Sequence, residues 1–324
     1  MVVTESSDRV VSELRPLERL GDICLTVPVA NPRMLAKLIL DRYGCSTYDF
    51  FKVWPDKSYF FSDSKKAFIS YTVSRRVALV LGDPVGPDSE IIDTARSFMN
   101  YCSKNGWLVC FLLTDRISMY KSLGLGVMKT GEEAVVDLNH FCTCTAKTKY
   151  FRYHRSRFER RGYSINRYLP PHPAWLLSEV EDVSNDWLTI PQHRELGFIQ
   201  GRFTRDYVEQ TPVDVVRDPS GRAVAFVNEV RSYRPGEATF DMMRQRPDVP
   251  NGTMDYLMHG MMLMLKQDGY RSFNMGLAPF AGLGRRPGAP LVEKIVQILF
   301  RMNWFISNQG IYNYKVKFEP QWND

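Results

Sequence analysis

No apolar run in this chain is long enough to cross a bilayer. The longest, Trp107 to Leu113 and Met258 to Leu265, fall far short of the ~20 residues a spanning helix needs. No signal peptide is evident, because the opening stretch MVVTESSDRVVSELRPLERL is charged and polar. A cytosolic chain with reduced thiols is therefore expected. The six cysteines (Cys24, Cys45, Cys102, Cys110, Cys142, Cys144) form no CxxC pair and match no zinc spacing. The five histidines (His140, His154, His172, His193, His259) also lack metal-ligand spacing. The glycine-rich stretch Gly82-Asp83-Pro84-Val85-Gly86-Pro87 has neither a Walker lysine nor Rossmann glycine spacing, which excludes a standard nucleotide loop. No nucleophilic triad is apparent. The expectation is direct group transfer, with no metal, no cofactor and no covalent enzyme intermediate.

What is present is the composition of a soluble globular protein, 44% hydrophobic and 24% charged, over 324 residues. That length suits two domains. Lys and Arg outnumber Asp and Glu by 42 to 36, an excess that fits an anionic partner such as RNA or a lipid headgroup. A weak internal repeat runs through the chain. In the first copy, Ser58–Ser62 and Ala67–Val73 form a hairpin around Asp63-Ser64-Lys65-Lys66. A strand Val77–Leu81 follows, then the Gly-Pro loop, a helix from about Ser89 to Lys104, and a strand Leu108–Leu113. In the second copy the order is Val213–Val216, Ala223–Val230, a strand ending at Asp241, a helix Thr253–Gln267 and a strand Arg271–Met275. Gly106 and Gly269 close the two helices, where a left-handed residue is needed. Hairpin, strand, helix, strand is the core order of the GNAT acyltransferase fold. The fold class expected is α/β (α+β): two tandem GNAT-like units with mixed central sheets, over residues 1–165 and 166–324.

The densest polar stretch is Asp241 to Asp255, between a strand and a helix start. Arg244 and Arg246, with free N–H groups at the helix start, suit a phosphate or carboxylate. Asp241 and Asp255 suit an ammonium group or a general base. Simple capping of the helix by Asn251 or Thr253 accounts for part of this pattern. The methionines of helix 253–267 fit a core. Lys147 to Gly162 reads as a cationic helix with Phe151, His154 and Phe158 on one face, and can meet anionic lipid or a phosphate backbone. His193 to Phe203 reads as a loop. The tail Tyr312 to Trp322 alternates like a strand, which puts Lys315 and Lys317 on one face.

Taken together the motifs resemble the cytosolic catalytic domain of the phosphatidylglycerol lysyltransferases (multiple peptide resistance factors). The matching pieces include Tyr59-Phe60-Phe61-Ser62, Leu81 to Pro87, Gly131-Glu132-Glu133-Ala134, Gly197-Phe198, Gly201-Arg202-Phe203 and Asp241 to Arg244. Asn251 to Asp255, Phe273 to Pro279 and Lys317 to Trp322 complete the set. The resemblance implies an enzyme with a tunnel between two units, in which a lipid hydroxyl attacks the ester of an aminoacyl-tRNA. It implies that Asp241 and Asp255 grip the aminoacyl ammonium and that Arg244 and Lys317 hold a phosphate or the oxyanion. Glu195 would be a base or an amino-acid contact. Arg202, Arg246, Asn251, Gly252 and Phe61 would bind substrate, and Lys149, Arg152 and Arg155 would meet lipid or tRNA. The implied partners are aminoacyl-tRNA and phosphatidylglycerol, with peripheral contact at the inner face of the cell membrane. The multi-helix membrane portion of the family is absent from these residues, and the loop Leu283 to Pro290 is unusual. A hydrolase of aminoacylated lipid, a CoA-dependent acyltransferase and a non-enzymatic binding module are the alternatives.

Overall fold

The structure, a computed structural model, describes residues 31–191, 193–195, 197–283 and 306–324. Helix α1 (Pro32–Tyr43) starts at an Asn31 cap, and a 3-10 segment (Thr47–Val53) starts at a capping box between Ser46 and Asp49. The first sheet comprises β1 (Ser58–Phe61), β2 (Phe68–Ser74), β3 (Val77–Leu81) and β4 (Leu108–Leu112), in that spatial order. Helix α2 (Asp88–Lys104) crosses over between β3 and β4, which pair in parallel; the other pairs are antiparallel. Phe98 and Cys102 of α2 pack on Ile69, Tyr71 and Val80.

After a short helix α3 (Ile117–Ser122) come β5 (Gly131–Asp137), α4 (Leu138–Thr143), α5 (Lys149–Arg160), β6 (Ser164–Tyr168), α6 (Ala174–Leu188) and α7 (Arg205–Val208). The remainder is β7 (Val213–Arg217), β8 (Ala223–Arg231), β9 (Glu237–Gln245), α8 (Thr253–Gln267), β10 (Ser272–Pro279), α9 (Ile306–Val316) and β11 (Gln321–Asn323). The second sheet has the order β11-β5-β10-β9-β8-β7-β6. Only β9 and β10 pair in parallel, joined through α8, so the hairpin–strand–helix–strand order expected from the sequence occurs twice. Its sheet is mixed, as expected.

The sheets divide between β4 and β5. Strand β5 pairs with β10 on one side and β11 on the other. A boundary at 165/166 falls inside β6, a strand of the second sheet. The 312–322 segment also departs from expectation: it begins as the end of a helix that runs to Val316, turns over 317–320, and only Gln321–Asn323 is strand. Tyr314 on this helix and Phe318 in the turn after it meet ring to ring, and Phe318 packs on Phe141 of α4 and Phe151 of α5. The 283–290 loop lies outside the described residues apart from Leu283.

The second sheet is covered on both faces, which is why β8 is buried from Ala223 to Val230. One face packs against α4, α5 and α8; Met258, Met261 and Met262 form core there, as expected. The other packs against α6 and against Tyr48 and Phe51 of the 3-10 segment. The first unit thus places part of its own chain on the second unit's sheet.

His259 of α8 is 4% exposed, against Phe141 and Phe151. Burial, aided by Arg155, pushes its pKa from 6.5 down to about 4. The fold therefore holds it neutral while the unfolded chain protonates, so stability is full above pH 6.5 and is lost as pH falls toward 4. Replacing His259 by Leu is expected to flatten that part of the stability profile, worth ~3 kcal/mol at most. Urea unfolding at pH 7 and pH 4.5 measures it, and an unchanged acid slope in the variant contradicts it.

Candidate active site

The β9 strand carries a bulge. Val227 pairs with Met243 and Glu229 with Phe240, so Asp241 and Met242 together oppose Asn228. Asn228 compensates for the broken ladder by accepting from the Met242 N–H at 2.8 Å. A bulge turns two successive side chains onto one face. Here it puts Asp241 beside Met242 on the face that also holds Arg244, against α6. In an unbroken strand Asp241 would point the other way.

The Asp241 carboxylate accepts from the Gly201 N–H at 2.9 Å and from the Tyr207 hydroxyl at 2.6 Å. Burial pushes its pKa above the ordinary carboxylate range, while hydrogen bonds from Tyr207 and Gly201 and the charge of Arg244 pull it back. Arg244 is 4% exposed. It donates to Ser184 Oγ and, at 2.8 Å, to Glu195, and its guanidinium lies 4.8 Å from the centre of the Trp187 ring. Glu195 also accepts from the Phe203 N–H at 2.8 Å. Two carboxylates therefore fasten the loop that contains Glu195 and Gly201 across β9. Trp54 closes this side, its ring 4.3 Å from Tyr207. The structure brings Asp241, Arg244 and Glu195 together. Tyr207 and Trp54, which complete the group, have no motif in the sequence to mark them.

The remaining expected residues lie elsewhere. Asp255 sits in the first turn of α8, on the opposite face of the sheet, so it does not join Asp241 in gripping one ammonium. It accepts from Lys317 at 3.0 Å and from the Tyr150 hydroxyl at 2.9 Å. Burial works against the Lys317 charge, but Tyr150 and Asp255 outweigh it and hold the pKa above its ordinary value. Lys317 does not share a face with Lys315, whose ammonium donates to the carbonyls of Gly276 and Leu277 in β10. Gly252 caps α8 at φ +91° and faces His154. The Asn251 carbonyl accepts from Arg157 at 3.1 Å. Arg246 is taken up by the Ala223 carbonyl and Asp186, pinning β9 to α6. Arg202 is exposed on the loop. Phe61 packs with Tyr59 and Phe68 in the first unit, away from these groups. Lys149, Arg152 and Arg155 are exposed on α5, with Arg155 paired to Glu159. Among the described residues no group of three His, Cys, Asp or Glu is arranged to hold a metal ion.

Strands β9 and β10 pair only as far as Thr239 and Asn274. Beyond that point the β9–β10 ladder stops while β10 keeps its pairing with β5, so Asp241 lies past the end of the ladder, beside this gap in the pairing. The corresponding loop of the first unit, Gly82 to Pro87, is stitched to β2 by Val85–Phe68 backbone bonds, and Asp88 and Glu90 occupy the first turn of α2.

Residues 38–324 match the family model described as phosphatidylglycerol lysyltransferase, C-terminal. The phosphatidylglycerol lysyltransferase of Bacillus subtilis (strain 168) is 32% identical over 296 residues, covering 90% of this chain and 34% of that protein. The chain therefore spans about a third of the length of the curated relatives it matches. The structure of L-PGS from Bacillus licheniformis superposes with a TM-score of 0.77 at 31% identity, over 90% of this chain and 89% of that one. The C-terminal domain of a putative lysylphosphatidylglycerol synthetase from Agrobacterium fabrum gives 0.75 at 31% identity, with the same coverage of each chain. With the twice-used strand order and this breadth of match, the chain belongs to the family of phosphatidylglycerol lysyltransferase C-terminal domains.

Proposed function

We propose that this chain transfers an amino acid, lysine or alanine, from aminoacyl-tRNA to a hydroxyl of phosphatidylglycerol at the inner face of the membrane. The observation that carries the reading is the β9 bulge, which sets Asp241 beside Arg244 at the edge of the β9–β10 gap. In a GNAT-like unit that gap is where the acyl donor sits. The lipid hydroxyl oxygen adds to the aminoacyl carbonyl, forming a new C–O bond. The bond to the tRNA ribose oxygen then breaks, and the proton lost by the lipid hydroxyl ends on that oxygen. In this reading Asp241 carries the proton, and the buried guanidinium of Arg244 stabilises the oxyanion. The named relatives support the lipid as acceptor. The charge on α5 supports an anionic partner.

One feature, present in both units, weighs against CoA as donor. Both crossover helices carry acids in the first turn, Asp88 and Glu90 in α2 and Asp255 in α8, where a pyrophosphate needs bare N–H groups. Incubation of the chain with radiolabelled aminoacyl-tRNA and mixed-lipid vesicles tests the proposal. Labelled phosphatidylglycerol is the expected product. No labelled lipid with any charged tRNA sinks it, and free amino acid released from aminoacyl-phosphatidylglycerol without tRNA replaces it with a hydrolase.

A further inference from the structure

Strand β8 turns Phe226, Asn228 and Val230 to the face that packs against α6 and α7. Phe226 and Val230 are core there. Asn228, between them, is an amide with 0% exposure. A buried amide is tolerated when its polar atoms are used, and three bonds use this one. Its Oδ1 accepts from the Met242 N–H at 2.8 Å. Its Nδ2 donates to Thr211 Oγ1 at 3.3 Å and also bonds the Tyr207 hydroxyl.

The orientation of that amide is forced. The Met242 N–H can only donate, so the atom facing it is the oxygen, and the amide nitrogen faces the two hydroxyls. Thr211 spends its own proton on the Val208 carbonyl at 3.0 Å, which leaves its oxygen free to accept. Tyr207 accepts from Asn228 in the same way, and its proton goes to Asp241 Oδ2, 2.6 Å away. Burial and the charge of Asp241 push the Tyr207 hydroxyl well above its ordinary titration range, against the pull of the Asn228 donor, so Tyr207 keeps its proton. Met242 is the second residue of the bulge. The irregularity that turns Asp241 toward α6 therefore also supplies the N–H that orients Asn228.

We propose that Asn228 is a positioning residue for Asp241: its amide, held by the bulge, fixes the Tyr207 hydroxyl as a donor to Asp241 Oδ2 and leaves Oδ1 as the oxygen that takes the proton. Among the described residues Oδ1 accepts from the Gly201 N–H alone, whereas Oδ2 accepts from both Gly201 and Tyr207. A carboxylate oxygen has room for about two donors, so the spare place is on Oδ1. The other charged groups that face Asp241 are Arg244 and Glu195, and these are paired with each other. The inference rests on the aminoacyl-transfer reading for the source of the proton.

A carboxyl-carbon NMR titration of Asp241, assigned with Asp241→Asn, reads this chain of bonds without any transfer reaction. Tyr207→Phe keeps the ring beside Trp54 and removes only the hydroxyl. It is expected to raise the Asp241 midpoint by about one pH unit or more. Asn228→Ala is expected to raise it by about half a unit or more in the wild-type background. In the Tyr207→Phe background the same substitution shifts it by less than half as much, because the group it acts through is gone. If Asn228→Ala does not fold, Asn228→Asp takes its place, since it keeps the side-chain shape and an acceptor for the Met242 N–H. Its charge shifts Asp241 alike in both backgrounds, so the difference between backgrounds still reads the hydroxyl. In transfer assays the acid limb of the pH profile moves up by the same amount as the midpoint. Equal shifts in the two backgrounds, as from a residue that only holds the strand, or no shift on Tyr207→Phe, overturn the proposal. Coupled shifts in a protein that labels no lipid disprove the transfer reading alone, and labelled lipid without coupling disproves this inference alone.

Discussion

Gly201→Ala is expected to lower aminoacyl transfer about a hundredfold while leaving thermal stability close to wild type. The added methyl group would fall well inside contact distance of Asp241 Oδ2, 2.8 Å from the Tyr207 ring and 3.2 Å from Trp54. All three neighbours are side chains of the β9 cluster, so the methyl group is accommodated only by displacing the carboxylate or lifting the loop. A displacement of about 1 Å at a reacting group is enough for a hundredfold loss. Steady-state transfer kinetics beside a melting curve separate the two effects. Transfer within threefold of wild type removes Asp241 from the reaction.

Gly252→Ala is expected to act in the opposite way, on stability first. At φ +91° an alanine is strained, and its methyl group would overlap His154 Nδ1. The strain costs ~1–3 kcal/mol, and displacing His154 breaks its ring contact with Tyr150, 4.6 Å away. A loss of at least ~2 kcal/mol lowers the melting temperature by ~4 °C or more. Adding His154→Ala removes the overlap and leaves the strain, so the double variant recovers part of the loss. A single variant that melts within 1 °C of wild type contradicts the packing of α5 against the start of α8.

The two substitutions separate what the sequence presents as one motif. Asp241 and Asp255 are close in the chain, and their charges invite a single site. A strand and the helix that crosses over from it expose opposite faces, and the β9 bulge adds a change of side that no local periodicity announces. Helix Thr253–Gln267 and strands β3 and β8 were legible because their apolar spacing is strong and glycines or turn residues bound them. Arg244 and Glu195 were separate candidates in the sequence, and the fold assembles them as an ion pair. Tyr207 and Trp54 were not legible, since an aromatic in or at the end of a short helix or 3-10 segment reads as core until its hydroxyl is seen against a carboxylate or its ring against that tyrosine. Lys315 was misread with the tail. An alternating tyrosine pattern resembles a strand, and only the packing of α9 shows a lysine directed at two carbonyls of β10.

Strand β5 also dictates the order in which this molecule can be completed. It leaves the ribosome well before its neighbours on either side, β10 and β11, which lie more than 130 residues further along the chain; Val136 pairs with Phe273 and Ala134 with Trp322. Until both arrive, β5 is a strand with two open edges, a template for wrong partners. Such distant pairing slows folding, because the long loop must close before any contact rewards it. Nascent chains that stop short of β10 should therefore be the aggregation-prone species and the preferred clients of a chaperone that covers strand edges.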